Sequence, residues 1–344
     1  TAMNVGVSYA GTLTIADGGK VSSTVGLIGR EGFPGFFTGD GTVKVTGTDS
    51  TWAISGDLTF GFLSGGIGTL TIAEGGTVTV AGNTTIARSA GAGGAPDSTG
   101  TLNIGSAKGD APVAPGTLSS NSLEFGAGDG RLIFNHTDLS KNYRFAPAIS
   151  GNGKIDHLAG YTNLTGDSSG FTGTTTVDGG TLAIQNELGG TQGNVGFAAG
   201  SNGTVIVSGA GIWTNSAGTT VGDSGTGTLL IENGGVVSSG SSVVGTDGTG
   251  TVTVTGMNST WTHTGGLSVG QFAGTGMLTI ADGGMVSTNT SARFGGIFPG
   301  GRGTLTVTGT GSTMTVGTDL TVGGVGSTGT LTIANGGAVK VAGK

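Results

Sequence analysis

One serine of the chain has the residue context of a protease nucleophile. Ser224 lies in a GDSG run at positions 222–225. A nucleophilic serine needs a histidine base and a buried carboxylate that converge on its hydroxyl. Other repeats of this chain fill the same corner with Val325–Ser327 or Phe272–Gly274. We therefore interpret Ser224 as a repeat position that happens to be serine, and we predict no catalytic role for it.

The histidines and carboxylates show no spacing typical of an active site. His136, His157 and His263 lack the spacing of metal ligands. His136 and Asp138 point to the same side of a predicted strand, which we interpret as a solvated face. The 20 acidic residues are scattered, whereas a glycosidase or lyase needs two carboxylates about 5–9 Å apart. The sequence therefore predicts no catalytic residue, metal or cofactor. An enzyme that cleaves surface polysaccharide is the main alternative, and it predicts an acidic cluster on neighbouring repeats.

The three tryptophans occupy one position of a repeated phrase. Trp52, Trp213 and Trp261 end three copies of this phrase, and Met314 takes their place in the last copy. A ladder that stacks on carbohydrate is one interpretation. A methionine at the same position favours packing inside the protein. We therefore predict an interior stack.

Two short phrases alternate along much of the chain. The first reads GTLTIADGG at 11–19 and recurs with small changes at 68–76, 227–235, 276–284 and 329–337. Its Leu-x-Ile alternation predicts a strand with one apolar face, and its glycine pair predicts a tight corner. The second phrase, such as GTVTVTGMNSTW, starts at Gly41, Gly203, Gly250 and Gly303. Successive starts from 203 onward lie 23–27 residues apart, which indicates a solenoid.

The repeats predict the fold class. Each repeat holds about three short strands and no helix; in the repeat from Gly276 these are Leu278–Ala281, Met285–Thr288 and Ala292–Gly295. Gly accounts for 78 of 344 residues and only 10% are charged, which suits the thin apolar column of a solenoid. We predict an all-β, right-handed parallel β-helix with about three short strands per rung and roughly thirteen rungs.

Charge and composition exclude several classes of partner. The formal net charge is −7 and no basic run exists, which argues against binding to nucleic acid. No apolar stretch reaches the ~18 residues of a membrane span. The absence of cysteine fits export through an oxidising compartment. Because the chain starts within a phrase and without Met, we expect it to be a fragment of a longer protein.

The repeat pattern changes along the chain, and we expect one continuous solenoid with four segments. Residues 1–105 form regular rungs, and 106–157 form an irregular segment with longer loops. Residues 158–202 carry a different repeat, and 203–344 return to regular rungs.

The run FTGTTTVDGGTL at 171–182 resembles the autotransporter-associated β-strand repeat. The stretches at 134–138 and 145–147 resemble the segment that often precedes it, and the flanking phrases are similar to large passenger domains of Gram-negative type V autotransporters. The resemblance covers nearly the whole chain. It implies a right-handed β-helical passenger, at the cell surface or secreted, that is displayed by a C-terminal membrane barrel absent from this sequence.

We predict a structural, non-enzymatic function as an adhesin. We expect attachment to a host-cell surface protein, matrix or glycan, or to a second copy of the chain. The alternatives are a polysaccharide hydrolase or lyase on the same fold, and a secreted ligand of a host receptor.

Two corners depart from the short glycine form and suggest a binding edge. Residues 29–37 and 293–302 each combine Phe, Pro and Arg. Exposed aromatic and arginine side chains on loops are frequent anchors of interfaces. The alternative is that the phenylalanines fold back and cap their own rung. The candidate partner-binding residues are Arg30, Phe33, Phe36, Phe37, Phe298 and Arg302.

Overall fold

The computed structural model describes residues 1–30, 39–91, 97–296 and 298–343. Every regular element in these residues is a β-strand. The chain divides into two compact units, Thr1–Gly173 and Thr174–Lys344, which are described separately below. No helix long and apolar enough to cross a membrane occurs among the described residues.

The first unit contains eighteen strands in six rungs. They are β1 (Ala2–Val7), β2 (Gly11–Ile15), β3 (Lys20–Ser23), β4 (Val25–Arg30), β5 (Asp40–Thr46), β6 (Thr51–Ile54), β7 (Leu58–Phe60), β8 (Ile67–Ala73), β9 (Thr77–Val80), β10 (Thr84–Ile86), β11 (Thr99–Gly105), β12 (Thr117–Ser119), β13 (Ser122–Phe125), β14 (Asp129–Asn135), β15 (Arg144–Phe145), β16 (Ala148–Gly151), β17 (Lys154–Ala159) and β18 (Tyr161–Leu164).

Strands of successive rungs pair in parallel in the first unit. The first strands of the rungs are β2, β5, β8, β11, β14 and β17, and they stack in that order. The second strands β3, β6, β9 and β12 form another sheet. The third strands β1, β4, β7, β10, β13 and β16 form a third sheet. Since like residues pair across rungs, as Val43 pairs with Leu70, the apolar residues form continuous buried columns.

The second unit contains nineteen strands. They are β19 (Thr174–Val177), β20 (Gly179–Ile184), β21 (Glu187–Leu188), β22 (Gln192–Val195), β23 (Asn202–Ser208), β24 (Ile212–Val221), β25 (Thr226–Glu232), β26 (Val236–Val244), β27 (Thr249–Thr255), β28 (Thr260–His263), β29 (Leu267–Val269), β30 (Thr275–Ala281), β31 (Met285–Thr288), β32 (Ala292–Phe294), β33 (Arg302–Thr308), β34 (Thr313–Val316), β35 (Leu320–Val322), β36 (Thr328–Ala334) and β37 (Ala338–Val341).

The second unit repeats the same parallel stacking over seven rungs. Its first strands are β20, β23, β25, β27, β30, β33 and β36. Strands β24 and β26 run through a corner, so each supplies both the second and the third strand of its rung. The predicted repeat from Gly276 is realised as β30, β31 and β32. The predicted parallel β-solenoid is therefore confirmed, with six and seven rungs in the two units.

The glycine-pair corners differ in detail from the prediction. A positive φ occurs at the polar residue before the pair in all five copies: Asp17, Glu74, Asn233, Asp282 and Asn335. Gly283 also has a positive φ, so Asp282 and Gly283 form a type I′ turn, closed by a 2.9 Å hydrogen bond from Gly284 N to Ala281 O. A Cβ on Gly284 would meet Val254 O of the preceding rung at 2.4 Å. The second glycine is therefore required by close backbone approach.

A serine of the second phrase completes the corner of the first phrase. The backbone N–H of a corner glycine donates to a fully buried serine hydroxyl on the next rung, at 3.0–3.1 Å, in three pairs: Gly18 with Ser50, Gly234 with Ser259 and Gly283 with Ser312. We call this contact the serine–glycine link. It gives a physical reason for the alternation of the two phrases.

The tryptophans lie inside the solenoid. Trp52, Trp213, Trp261 and Met314 are fully buried, so the interior stack is confirmed and a carbohydrate-stacking ladder is wrong. In the second unit the column alternates large and small side chains, and valine separates the tryptophans: Leu188, Trp213, Val237, Trp261, Val286, Met314, Val339. The Trp261 indole N–H donates to Ser239 Oγ at 3.2 Å.

Candidate binding surface

The predicted partner-binding residues that the structure describes lie at one type of corner. We call the connection from the third strand of one rung to the first strand of the next the third corner. Arg30 is the last residue of β4, Phe298 lies between β32 and β33, and Arg302 begins β33. The other three candidates, Phe33, Phe36 and Phe37, fall outside the described residues.

Phe298 forms an exposed aromatic stack in the second unit. Its ring lies on that of Phe272, with centroids 4.7 Å apart and an interplanar angle of 11°. Phe272 belongs to the third corner of the preceding rung, and the two residues are 40% and 45% exposed. Val325, at the third corner of the following rung, is 79% exposed. The third corners of three successive rungs therefore present apolar side chains to solvent.

Two arginines accompany this stack. Arg293 points outward from β32 beside Ser268 of β29, and Arg302 is exposed at the start of β33. Ser268, Gln271 and Arg293 line a shallow depression next to the aromatic pair. Neither arginine forms an ion pair with any residue that the structure describes. Aromatic rings and free guanidinium groups therefore share this side of the second unit.

A second arginine–aromatic arrangement lies at the third corners of the first unit. The guanidinium carbon of Arg30 is 5.6 Å from the ring centroid of Phe62, and that of Arg88 is 4.9 Å from the same centroid. The three residues belong to successive rungs. Hydrogen bonds from Phe62 N to Gly29 O and from Arg88 N to Gly61 O extend the ladder of the third strands to these residues. We call this arrangement the arginine sandwich.

Sequence reasoning found Arg30 but missed Phe62 and Arg88. The signal available in the sequence was a small residue, Gly or Ala, at the end of the third strand, followed by a large side chain; the structure gives each small residue a positive φ. It occurs as Gly29-Arg30, Gly61-Phe62 and Ala87-Arg88. Only the alignment of rungs shows that these pairs occupy one position.

Ser224 does not have the surroundings of a nucleophile. Its side chain is exposed, and its hydroxyl donates to the carboxylate of the adjacent Asp223 at 3.1 Å. A catalytic serine donates to a histidine base. His263, the histidine of the second unit, is buried, and its Nδ1 is 3.0 Å from the carbonyl oxygen of Ser287. The geometry agrees with the interpretation of Ser224 as a repeat position.

The interpretation of His136 and Asp138 as a solvated face was wrong for His136. The imidazole of His136 is fully buried, and its Nε2 lies 2.8 Å from Thr162 Oγ1; Nε2 of the buried His157 lies 3.1 Å from the same hydroxyl. Burial lowers the pKa of His136 to about 4, although the Asp138 carboxylate opposes the shift. Ring contact with Tyr143 at 4.9 Å completes an aromatic core. His136 therefore stays neutral and structural near pH 7.

No group of three or more His, Cys, Asp or Glu side chains arranged to hold a metal occurs among the described residues.

Three curated proteins show sequence similarity to parts of this chain, and no family model matches it. An uncharacterised lipoprotein of Escherichia coli K12, YdeK, is 33% identical over 189 residues, which is 53% of this chain and 13% of YdeK. The uncharacterised protein YuaQ of the same strain is 34% identical over 173 residues, 49% of this chain and 11% of YuaQ. The adhesin BmaC autotransporter of Brucella suis biovar 1 is 32% identical over 136 residues, 39% of this chain and 3% of BmaC. The chain thus spans a small part of each relative.

Among solved structures, a hyper-glycosylated TibA fragment covers 99% of this chain at 15% identity and a TM-score of 0.28, which is too low to support an argument. The parallel β-solenoid and the similarity to a named autotransporter adhesin fit an autotransporter passenger domain. The lipoprotein and autotransporter relatives indicate a location at the cell surface or outer membrane, or a secreted one.

Proposed function

We propose that this chain is a non-enzymatic adhesive segment of a passenger domain, which attaches the cell to a host surface or to a second copy of itself. The observation that supports it best is the exposed stack of Phe272 and Phe298, with Arg293 and Arg302 free beside it. Aromatic and arginine side chains dominate the energetics of protein interfaces. The similarity to BmaC, a named adhesin, supports the same function.

The strands that flank the third corner are held in place before any partner binds. The strands on both sides of the third corner are fixed in parallel ladders, as in the pairing of β32 with β29 and β35. Gly295 closes the start of the corner with a positive φ of 86°. Because the flanking strands are fixed in these ladders, binding at this surface needs little ordering of them and costs correspondingly little conformational entropy.

The alternative of a polysaccharide hydrolase or lyase has less support. Such an enzyme needs a general acid with a raised pKa next to a second carboxylate. Among the described carboxyl groups, the one with a clear shift is Asp138, whose pKa is lowered, chiefly by its hydrogen bond with Ser140. That direction is the opposite of the one an acid catalyst requires.

Attachment of cells that display the full-length protein tests the proposal. Phe298→Ser should lower binding to host cells or matrix, or clumping of the cells, by about tenfold or more, as expected for an interface anchor. The double variant Phe272→Ser with Phe298→Ser should lose still more. Met257→Ser is a matched control, because Met257 is an apolar residue with 76% exposure at a different corner.

Thermal unfolding of the same variants separates binding from folding. The proposal expects melting temperatures close to the parent, since both residues are exposed and lie outside the buried column. Normal attachment and normal clumping by the double variant would refute the proposal. A large loss of thermal stability would instead support the alternative in which the phenylalanines cap their rung.

A further inference from the structure

We propose that the arginine sandwich of Arg30, Phe62 and Arg88 is a binding site for an acidic polysaccharide, with one carboxylate or sulfate group on each guanidinium. The proposal rests on the adhesive function proposed above and assigns a class of ligand to a separate surface in the first unit.

The two guanidinium groups are held on one ring. Their central carbons lie 5.6 and 4.9 Å from the Phe62 centroid, within the range of a cation–π contact. A cation–π contact holds the guanidinium near the ring and leaves its outer N–H groups free to form paired hydrogen bonds with a carboxylate or sulfate. Arg88 is exposed and Arg30 is half-buried, so the site is open to solvent.

Nothing among the described residues neutralises these charges. The two ion pairs there join Arg131 to Asp156 and Lys154 to Asp129, so neither sandwich arginine has a carboxylate partner. The Nε of Arg30 is buried without a hydrogen-bond acceptor. Two cations held on one ring, with no carboxylate partner among the described residues, attract an external anion even in a chain with a formal net charge of −7.

The spacing favours a polymer over a single small anion. Phe62 lies on the rung between those of Arg30 and Arg88, and two rung spacings amount to about 9.6 Å. The two distances to the shared centroid allow the guanidinium carbons to lie as much as roughly 10 Å apart. At a separation set by two rungs, one carboxylate or sulfate is too small to form paired hydrogen bonds with both. A chain of sugars with regularly spaced anionic groups can reach each arginine with a separate group.

Other anionic macromolecules fit less well. Binding to nucleic acid depends on many phosphate contacts, and this chain is acidic with no basic run. An anionic membrane likewise attracts clusters of four or more basic residues. Acidic glycans are accessible to a protein at the cell surface, and two fixed cations suit their sparser charge.

The test measures binding of the purified chain to heparin, polygalacturonate and neutral dextran at about 0.15 M salt. The wild type should bind one or both acidic polymers and not dextran. The double variant Arg30→Gln with Arg88→Gln should bind them at least about tenfold more weakly. The double variant Lys20→Gln with Lys108→Gln removes the same charge from two exposed positions of the first unit and should stay within about twofold of the wild type.

A lysine pair at positions 30 and 88 separates geometry from charge. Arg30→Lys with Arg88→Lys keeps both charges but loses the planar fork, so it should regain only part of the binding. Binding to heparin alone would assign a sulfated, matrix-type ligand, and binding to polygalacturonate would assign a uronate polymer; both support the site. If the double variant Arg30→Gln with Arg88→Gln loses stability, the single variant Arg88→Gln is used in its place, because the Arg88 side chain is exposed.

Two results would overturn the proposal: no binding of either acidic polymer to the wild type, or unchanged binding by a folded Arg30→Gln, Arg88→Gln variant. The assay uses defined polymers and no cells. Its failure is therefore independent of the attachment assay, which reports on Phe272 and Phe298.

Discussion

The serine–glycine link predicts a defined loss of stability when its hydroxyl is removed. In Ser259→Ala the N–H of Gly234 loses its 3.0 Å acceptor on the next rung. Ser259 is fully buried and Gly234 is half-buried. An unsatisfied buried donor costs about 1–3 kcal/mol, and partial access of Gly234 to water lowers the expected cost to about 1–2 kcal/mol. That corresponds to a factor of roughly 5–30 in the unfolding equilibrium.

Amide hydrogen exchange can measure this effect at the residue concerned. The exchange of the Gly234 amide should accelerate by a factor of roughly 5–30 in Ser259→Ala, while the amide of Gly283, which bonds Ser312, should change little. Denaturant unfolding of the second unit should show the loss of about 1–2 kcal/mol.

Ser216→Ala is the matched control, because Ser216 is exposed on the same unit. An unaltered exchange rate at Gly234 in Ser259→Ala would show that the hydroxyl does not hold this corner. The reasoning about alternating phrases would then fail with it.

Two further predictions concern the interior. Trp261→Ala should lower the free energy of unfolding by about 3–5 kcal/mol, because the residue is fully buried between Val237 and Val286; an unchanged denaturant midpoint would contradict the interior column. Burial lowers the pKa of His263 to about 4, below its ordinary 6.5, so between these pH values the unfolded chain binds a proton that the folded chain rejects. The free energy of unfolding should therefore fall with decreasing pH in this window, by up to about 1.4 kcal/mol per pH unit. His263→Gln should make this pH dependence weaker. Equal slopes of the free energy of unfolding against pH for the wild type and the variant would contradict the prediction.

The sequence predicted the strands well because the repeat aligns residues of one kind. Leu278 and Ile280 flank Thr279 in their copy of the phrase, and both are buried. The buried position of Trp261 followed from Met314 in the same column. These inferences needed only a period of two within strands and a fixed register between rungs.

Features that depend on contacts between unlike rungs escaped the sequence reasoning. The burial of His136 depends on Thr162, a residue outside the regular phrases, and on Gly160, whose missing side chain leaves room for the imidazole ring. The arginine sandwich needs Phe62 on the rung between the two arginines, and loops of unequal length hide that alignment in the sequence. The residues that lie side by side on adjacent rungs depend on the number of residues between those rungs. The repeated phrases alone do not fix that number.

The serine–glycine link also has a consequence for how such a chain can change its length. Gly234 bonds Ser259 and Gly283 bonds Ser312, whereas the second phrase at Gly250 makes no such link to the first phrase at Gly276. The serine–glycine link therefore occurs at every second boundary between these rungs, in addition to the strand ladders that join all of them. We expect that gene duplication or deletion is tolerated best in steps of two rungs, with both ends of the change lying between linked pairs of rungs. A change of one rung would leave a buried serine hydroxyl or a corner amide without its partner in the link. The heritable module of this solenoid is then the rung pair, and its copy number can vary without any change to the corners that face the outside.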